Sequence, residues 1–202
     1  MQIIKGIEQG SREWLDLRCG IVTASNFSKV MAKGGGKTRL SYMYQLAAEK
    51  LTGQPVETFT NASMEWGTEC EPQARSSYEL RENLDVEQVT FIKCNLEGVG
   101  CSPDGLISED GIIEIKCPKT TTQIERYLKG DFPSSCKAQV QGQLWVSERE
   151  WCDFLSFDPR IIGPSSYFLT RVLRDEDYIR DLENEVINFL NDLAEMVEKL
   201  EG

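Results

Sequence analysis

The sequence predicts an α/β (or α+β) domain in which a central mixed β-sheet is flanked by helices. Segments with helical periodicity and segments with strand-type alternation both recur along the 202 residues, as expected of a sheet covered by helices. No Pro-, Gly- or Ser-rich linker and no internal repeat divides the chain, and 40% apolar residues suffice for a buried core. We therefore expect one domain over residues 1–202.

Helix signals dominate the N-terminal part of the chain. The segments with capping residues or helical periodicity are 11–18, 23–31, 40–51 and 62–82. Ser11 is placed to cap the first helix and Thr23 or Ser25 the second, while Gly53 is placed to stop the third. A glycine-rich basic segment, residues 33–39, separates the second helix from the third.

Strand signals dominate the middle of the chain. The predicted strands are 86–93, 99–102, 105–107, 112–117, 151–157 and 166–173. The sequence Ser-Glu-Asp-Gly at 108–111 predicts a hairpin turn between the third and fourth of these strands. Helices are expected over 120–129 and 134–147, and a long C-terminal helix is expected over about 175–201.

The predicted C-terminal helix carries an apolar seam with a seven-residue repeat. Its members are Ile179, Leu182, Val186, Phe189, Leu193, Met196 and Leu200. Packing of this seam against the chain's own core is the favoured interpretation, and a self-associating coiled coil is the alternative.

The net charge of −11 is distributed unevenly. Residues 175–202 hold ten acidic and two basic residues, a net charge of −8, which leaves −3 for the other 174 residues. Residues 1–50 hold eight Lys or Arg and four acids. This distribution leaves room for a local basic groove that binds nucleic acid.

The composition also excludes several classes of chemistry. The sequence contains no histidine, which removes Ser-His and Cys-His nucleophile pairs, imidazole bases and His-ligated zinc. The seven cysteines form no CxxC pair and are interpreted as reduced thiols. No leader-like segment and no run of 18 apolar residues is present, so we expect a cytoplasmic protein without a membrane partner. The Gly-Lys-Thr at 36–38 is not a phosphate-binding loop, because Met31 stands where that motif needs glycine.

The strongest chemical signal lies in the predicted hairpin. Glu114 and Lys116 share one face of a strand because side chains alternate, while Ile115 points into the core. The short hairpin places Asp104 roughly opposite Glu114. Two carboxylates brought together repel unless a cation separates them, and oxygen ligands suit Mg²⁺. With a neighbouring lysine, this arrangement is typical of metal-assisted phosphodiester hydrolysis, which needs no histidine.

The wider sequence resembles the phage lambda exonuclease and YqaJ-type viral recombinase family of the PD-(D/E)XK nuclease superfamily. The matching motifs are W-x-x-L-R-x-G-x-x-T-A-S (14–25), W-G-x-x-x-E-x-x-A-R (66–75), C-S-P-D-G-L (101–106), E-x-K-C-P (114–118), A-Q-V-Q (138–141) and D-P-R (158–160). The resemblance covers most of the chain and implies a restriction-endonuclease-like core.

The resemblance also assigns roles to individual residues. It implies that Asp104, Glu114, the backbone carbonyl of Ile115 and Glu71 bind Mg²⁺, for which Mn²⁺ is expected to substitute. It implies that Lys116 positions or activates the attacking water. Gln139 is implied to support this site. Without the resemblance, Glu71 could equally be an acid in the first turn of a helix.

A second set of residues matches the family's DNA-binding positions. The resemblance implies that Arg18, Ser25 and Ser102 bind the 5′-phosphate of the cut strand, and that Met64 is an apolar wedge at the terminal base pairs. Arg18 and Ser25 could otherwise be a surface charge and a helix cap, and Met64 could be part of the core. No residue is transferred from the basic segment 33–39, which differs from the family in detail.

The function implied is a Mg²⁺-dependent 5′→3′ exonuclease that acts on double-stranded DNA ends, encoded by a phage or prophage. Family members form toroidal homotrimers, release 5′-mononucleotides and leave 3′ overhangs for a single-strand annealing protein. Alternatives are a PD-(D/E)XK endonuclease, a helicase-linked nuclease, and a catalytically inactive DNA-end-binding protein. The scattered cysteines do not match the four-cysteine iron–sulfur site common in helicase-linked members. Trp14, Trp66 and Trp145 are interpreted as packing residues.

Overall fold

The computed structural model describes residues 1–32, 36–56 and 62–202. Within these ranges the α-helices are α1 Arg12–Arg18, α2 Phe27–Val30, α3 Lys37–Thr52, α4 Ala62–Glu82, α5 Thr120–Lys129, α6 Lys137–Ser147 and α7 Glu176–Glu201. The strands are β1 Gln2–Ile4, β2 Val22–Thr23, β3 Val86–Glu87, β4 Phe91–Lys93, β5 Val99–Cys101, β6 Gly105–Ile107, β7 Gly111–Lys116, β8 Trp151–Phe157 and β9 Tyr167–Leu173. None of these helices is long and apolar enough to cross a membrane.

The strands form two mixed sheets, with the orders β1-β4-β5-β2 and β3-β6-β7-β8-β9. The predicted mixed α/β fold is thus confirmed, but the strand predicted over 86–93 divides between the two sheets. Val86 pairs with Ile107 in the larger sheet, whereas Ile92 pairs with Cys101 in the smaller one. The division occurs at buried Thr90, whose hydroxyl exchanges hydrogen bonds with the backbone of Ile7 and draws the chain toward the smaller sheet.

The helix ends agree with the predicted caps at two of three positions. The Ser11 hydroxyl accepts a hydrogen bond from the Trp14 amide at 3.2 Å, and Gly53 ends α3 with a left-handed φ of 63°. The predicted cap by Thr23 or Ser25 is wrong. The Thr23 hydroxyl accepts from the Asn26 side chain instead, residues 24–26 form a 3₁₀ turn, and α2 begins only afterwards. Of the basic segment, residues 33–35 lie outside the described residues.

The β6–β7 hairpin positions the acidic residues identified in the sequence. Gly105 pairs with Ile113 in antiparallel register, and β7 in turn pairs in parallel with β8. Strand β7 begins at Gly111, against the ring of Trp151. Only glycine fits there, because a Cβ atom at this position would come within 2.3 Å of that ring. Strand β7 therefore lies inside the sheet, and the side chains at its C-terminal end meet helices α4 and α6.

The apolar seam of α7 packs against the chain's own core. Its residues are buried as far as Leu193, and the rings of Phe189 and Tyr42 from α3 stack with their centres 5.6 Å apart. Leu200, at the end of the seam, is 62% exposed. Core packing is thus confirmed, so the seam gives no independent support for self-association. All seven cysteines are free thiols, of which five are buried.

Candidate active site

A cavity of about 810 Å³ lies at the C-terminal end of β7. It brings together five residues predicted from the sequence: Glu71 from α4, Asp104 from the loop before β6, Glu114 and Lys116 from β7, and Gln139 from α6. The residues come from segments up to 68 positions apart in the sequence. The β6–β7 pairing places Asp104 beside Glu114, and helices α4 and α6 bring Glu71 and Gln139 to the same cavity.

The hairpin register places Asp104 beside Glu114. Because Gly105 pairs with Ile113, the next position outward on each strand is occupied by one of these carboxylates. The Oδ2 atom of Asp104 accepts a hydrogen bond from the Ile115 amide at 2.6 Å. The Ile115 side chain lies in the core, as the alternation predicts. Its backbone is therefore at the site while its side chain anchors the strand.

The Glu114 carboxylate is held by donors on both of its oxygens. Gln139 Nε2 donates to Oε1 and Gln143 Nε2 donates to Oε2, each at 2.7 Å. Lys116 Nζ lies 2.5 Å from Oε1 and 3.3 Å from Oε1 of Gln139. Glu114 is 2% exposed, so these contacts fix the orientation of a carboxylate that has almost no contact with water.

The burial and the charges of the site shift the pKa values of Asp104, Glu71 and Lys116. Burial raises the pKa of Asp104 well above its usual value, and the neighbouring Glu114 and Glu71 raise it further. Burial also raises the pKa of Glu71, although Arg75 acts against this. Burial alone would lower the pKa of Lys116, but Glu114 and Asp104 raise it above the ordinary lysine value. The neighbouring carboxylates therefore favour the protonated form of Lys116.

The donor chemistry of the cavity fits a divalent cation. The described residues contain no group of three acidic or thiol side chains that already converge as a metal site. The carboxylates of Glu71, Asp104 and Glu114 nevertheless line one cavity, and the charge of Glu114 raises the pKa of both Asp104 and Glu71. A cation bound by oxygen ligands would relieve this repulsion. Each carboxylate is held meanwhile by the protein's own hydrogen-bond donors.

Glu71 lies in the middle of α4, so its interpretation as an acid in a first helical turn is wrong. It forms an ion pair with Arg75, one turn further along the same helix. The Arg75 side chain is itself largely buried. Met64 lies in the first turn of α4 and lines the cavity, and at 52% exposure it is not a core residue.

The residues predicted to bind a 5′-phosphate form a second group. The Arg18 guanidinium lies 3.8 Å above the centre of the Trp14 ring, and its Nη2 atom donates to the Thr23 hydroxyl at 3.4 Å. That hydroxyl is 3.3 Å from the Ser25 hydroxyl, and Trp14 Nε1 lies 3.2 Å from the Ser102 hydroxyl. Arg18, Ser25 and Ser102 are thus linked through two residues to which the sequence assigned no contact.

The Arg18 guanidinium is largely buried, and its charge has no carboxylate partner among the described residues. Burial lowers the pKa of Arg18 to about 10, although nearby Tyr42, Cys101 and Glu49 oppose this shift. Among the ion pairs of the described residues, none involves Arg18. Ser25 lies inside the 3₁₀ turn and caps no helix, which removes its alternative interpretation. Ser102 precedes Asp104 by two positions and so connects this group to the carboxylates.

The three tryptophans interpreted as packing residues differ in their surroundings. Trp145 packs against Phe27 with ring centres 5.8 Å apart, as predicted. Trp66 lies under the Arg160 guanidinium at 4.1 Å and lines the large cavity. The Trp14 ring lies under the Arg18 guanidinium, so Trp14 belongs to the Arg18 group and not to the core.

The chain is similar to known proteins in both sequence and structure. The profile of the YqaJ-like viral recombinase domain matches residues 13–150. The chain belongs to this family. The structure is also similar to that of an alkaline exonuclease (LHK-Exo) from Laribacter hongkongensis, with 40% identity, a TM-score of 0.89 and coverage of 95% of this chain and 96% of that one. A structure of LHK-Exo in complex with dAMP gives the same values.

Two more distant relatives extend the comparison. A phage-related exonuclease from Haemophilus somnus 129PT shares the fold, with 19% identity, a TM-score of 0.69 and coverage of 89% of this chain and 96% of that one. The uncharacterized protein R354 of Acanthamoeba polyphaga mimivirus is 28% identical over 173 residues, 77% of this chain. The chain spans only 30% of the length of that viral protein.

Within this YqaJ-type chain, sequence reasoning missed two residues of the site. Gln143 holds the second oxygen of Glu114, and Arg75 holds Glu71. A signal existed for each, because Gln143 follows Gln139 by four positions and Arg75 follows Glu71 by four, which places each pair on one helix face.

Proposed function

We propose that this chain is a Mg²⁺-dependent exonuclease that degrades double-stranded DNA in the 5′→3′ direction. It releases 5′-mononucleotides and leaves 3′ single-stranded overhangs for phage-type recombination by strand annealing. One observation carries the proposal. The cavity that contains the carboxylates and Lys116 is linked through Ser102 and Trp14 to Arg18, which has no carboxylate partner among the described residues. The 40% identity to an alkaline exonuclease supports the nuclease class.

The cavity contains the groups that phosphodiester hydrolysis needs. A divalent cation bound by Asp104, Glu114, Glu71 and the Ile115 carbonyl would stabilise charge on the scissile phosphate and acidify a water molecule. Mn²⁺ has similar oxygen ligands and is expected to substitute for Mg²⁺.

The chain's own catalytic residues have separate roles in this proposal. Lys116 lies beside Glu114 and positions or activates the attacking water. Gln139 contacts both Glu114 and Lys116 and fixes their relative position. Asp104 and Glu114 act as the fixed negative charges that bind the cation.

Directionality comes from the Arg18 group. Two carboxylates and a lysine cut a phosphodiester without sensing which strand end is near. Arg18 offers a planar, permanently charged donor for a terminal phosphate, and the hydroxyls of Ser25 and Ser102 add neutral hydrogen bonds. Met64, exposed on the rim of the cavity, is proposed to separate the terminal base pairs.

The proposal includes a homotrimeric ring around DNA and a single-strand annealing protein as partner. Both follow from the family resemblance alone, since the α7 seam is used within the chain. Light scattering of the full chain tests the ring, and a stable monomer of 22.9 kDa at micromolar concentration would contradict it.

Digestion of a linear duplex labelled separately at each end tests the activity. We expect Mg²⁺-dependent loss of the 5′ label as mononucleotide while the 3′ label stays with the long strand. Lys116→Ala should abolish cleavage with less effect on Mg²⁺ binding, measured by calorimetry. Release of the 3′ label first, or cleavage inside a closed circular duplex, would refute the proposal.

A further inference from the structure

Arg126, which belongs to none of the sequence motifs, contributes a positive charge to the active-site cavity. It lies on α5, the helix that directly follows the catalytic strand, and lines the same cavity as Glu114 and Lys116. It also lines an adjoining cavity of about 380 Å³ that extends along α5 toward Phe132. Arg126 therefore stands where the two cavities meet.

The position of the Arg126 guanidinium is fixed by buried groups. Its Nη1 atom donates to the Ser156 hydroxyl at 3.0 Å, and Ser156 is fully buried in β8. The same hydroxyl donates to Oε1 of buried Gln123 at 2.6 Å. The guanidinium also lies 5.5 Å from the centre of the Phe154 ring. These contacts hold one edge of the guanidinium, and Arg126 lines both cavities.

The half-buried guanidinium of Arg126 has no ion-pair partner among the described residues. None of the ion pairs between described residues includes it, and the adjacent Glu125 pairs with Lys129 at 2.6 Å. Burial lowers the pKa of Arg126 below the ordinary arginine value. Desolvating an unpaired cation has a cost that a bound anion would offset. Exposed Lys119 adds a second positive charge on the same cavity wall.

We propose that Arg126, assisted by Lys119, binds a backbone phosphate of the DNA substrate away from the terminal 5′-phosphate. The inference rests on the proposed function, because it adds a second phosphate contact to the same cleft. Arg18 does not line either cavity that Arg126 lines, so the two arginines bind different phosphates. A guanidinium anchored at one edge presents a fixed pair of donors that suits a phosphate.

Fluorescence anisotropy of the full chain with a labelled duplex, in the absence of divalent metal, tests this proposal. Arg126→Ala should weaken binding roughly 10-fold and lower the slope of log Kd against log salt concentration by about one. Arg126→Lys should retain the slope because it retains the charge. Arg180→Ala is the matched control, since Arg180 is exposed on α7 and paired with Asp177, and its affinity should equal that of the wild type.

Three outcomes would overturn the proposal or separate it from the proposed function. Wild-type affinity and slope in Arg126→Ala, with a lowered melting temperature, would show that Arg126 only anchors α5 to β8. Unchanged DNA affinity in Arg126→Ala, combined with weaker binding of inorganic phosphate than in the wild type, would show a site for free phosphate and would also overturn it. Normal cleavage by Asp104→Ala would refute the proposed function, while the Arg126 binding data would still decide the phosphate contact.

Discussion

Replacing Gln143 by methionine separates the catalytic role of its side chain from its structural role. Methionine fills a similar volume but cannot donate a hydrogen bond to Glu114. The bond that is lost joins an amide to a carboxylate at 2.7 Å, and its two residues are 1% and 2% exposed. A hydrogen bond to a charged group contributes about 1.5–3 kcal/mol.

The effect on stability is the balance of two changes. Gln143 Oε1 is buried without a partner among the described residues, such an atom costs about 1–3 kcal/mol, and methionine removes this cost. The substitution also leaves the buried Oε2 atom of Glu114 without its donor, and an unsatisfied charged acceptor costs more than a neutral one. We therefore expect the free energy of unfolding to fall by about 1 kcal/mol or more. Turnover at saturating Mg²⁺ should fall roughly 10- to 100-fold, because Glu114 loses its fixed orientation.

Gln141→Met is the matched control on the same helix. The Gln141 side chain donates to the Leu173 carbonyl at 2.8 Å and accepts from the Asp175 amide at 2.9 Å. Its loss leaves two backbone groups without partners, so it should destabilise the fold by about 2 kcal/mol or more with little change in turnover. Single-turnover digestion, Mg²⁺ titration and urea unfolding measure both quantities. Unchanged turnover in Gln143→Met, or the same pattern in both variants, would refute the reasoning.

The remaining predictions concern the carboxylates, the strand end and pH. Asp104→Ala or Glu114→Ala should reduce cleavage roughly 10²- to 10⁴-fold with an unchanged circular dichroism spectrum, and near-normal turnover would remove both residues from the mechanism. Arg18→Ala should slow digestion of 5′-phosphorylated ends about 10- to 150-fold and change 5′-hydroxyl ends little, whereas equal slowing would make Arg18 structural. Burial opposes the ionisation of Asp158, but its hydrogen bonds with Arg160 outweigh this effect and lower the pKa of Asp158. The ionised carboxylate therefore stabilises the fold at pH values above its unfolded pKa. This stabilisation is lost as the pH falls through its folded pKa. Thermal unfolding should show Asp158→Asn destabilised at pH 7 and closer to the wild type near pH 3, and a pH-independent difference would contradict this.

The core of the candidate site could be predicted from the sequence because short-range rules define it. Strand alternation places Glu114 and Lys116 on one face, and the length of the hairpin places Asp104 opposite them. Both rules act within 13 residues and require no knowledge of the rest of the fold. Helices and strands with strong periodicity, such as 62–82 and 151–157, were predicted with the bounds observed for the same reason.

Contacts between distant segments could not be predicted in this way. Local patterns report which face of an element is apolar, but they do not report which element covers it. The seam of α7 fits either a core or a coiled coil, and only packing against α3 and α6 decided between them. Likewise, nothing near Trp14 in the sequence indicates that its ring lies between Arg18 and Ser102.

The sequence by itself determined the mixed α/β class, the principal elements and the identity of the charged residues in the hairpin. Tertiary structure alone decided that residues 86–93 divide between two sheets, that Gln143 completes the support of Glu114, and that Arg126 reaches the cavity. The physical reason is that periodicity and turn chemistry act over a few residues. Hydrogen bonds to buried groups depend instead on how elements far apart in the chain pack together.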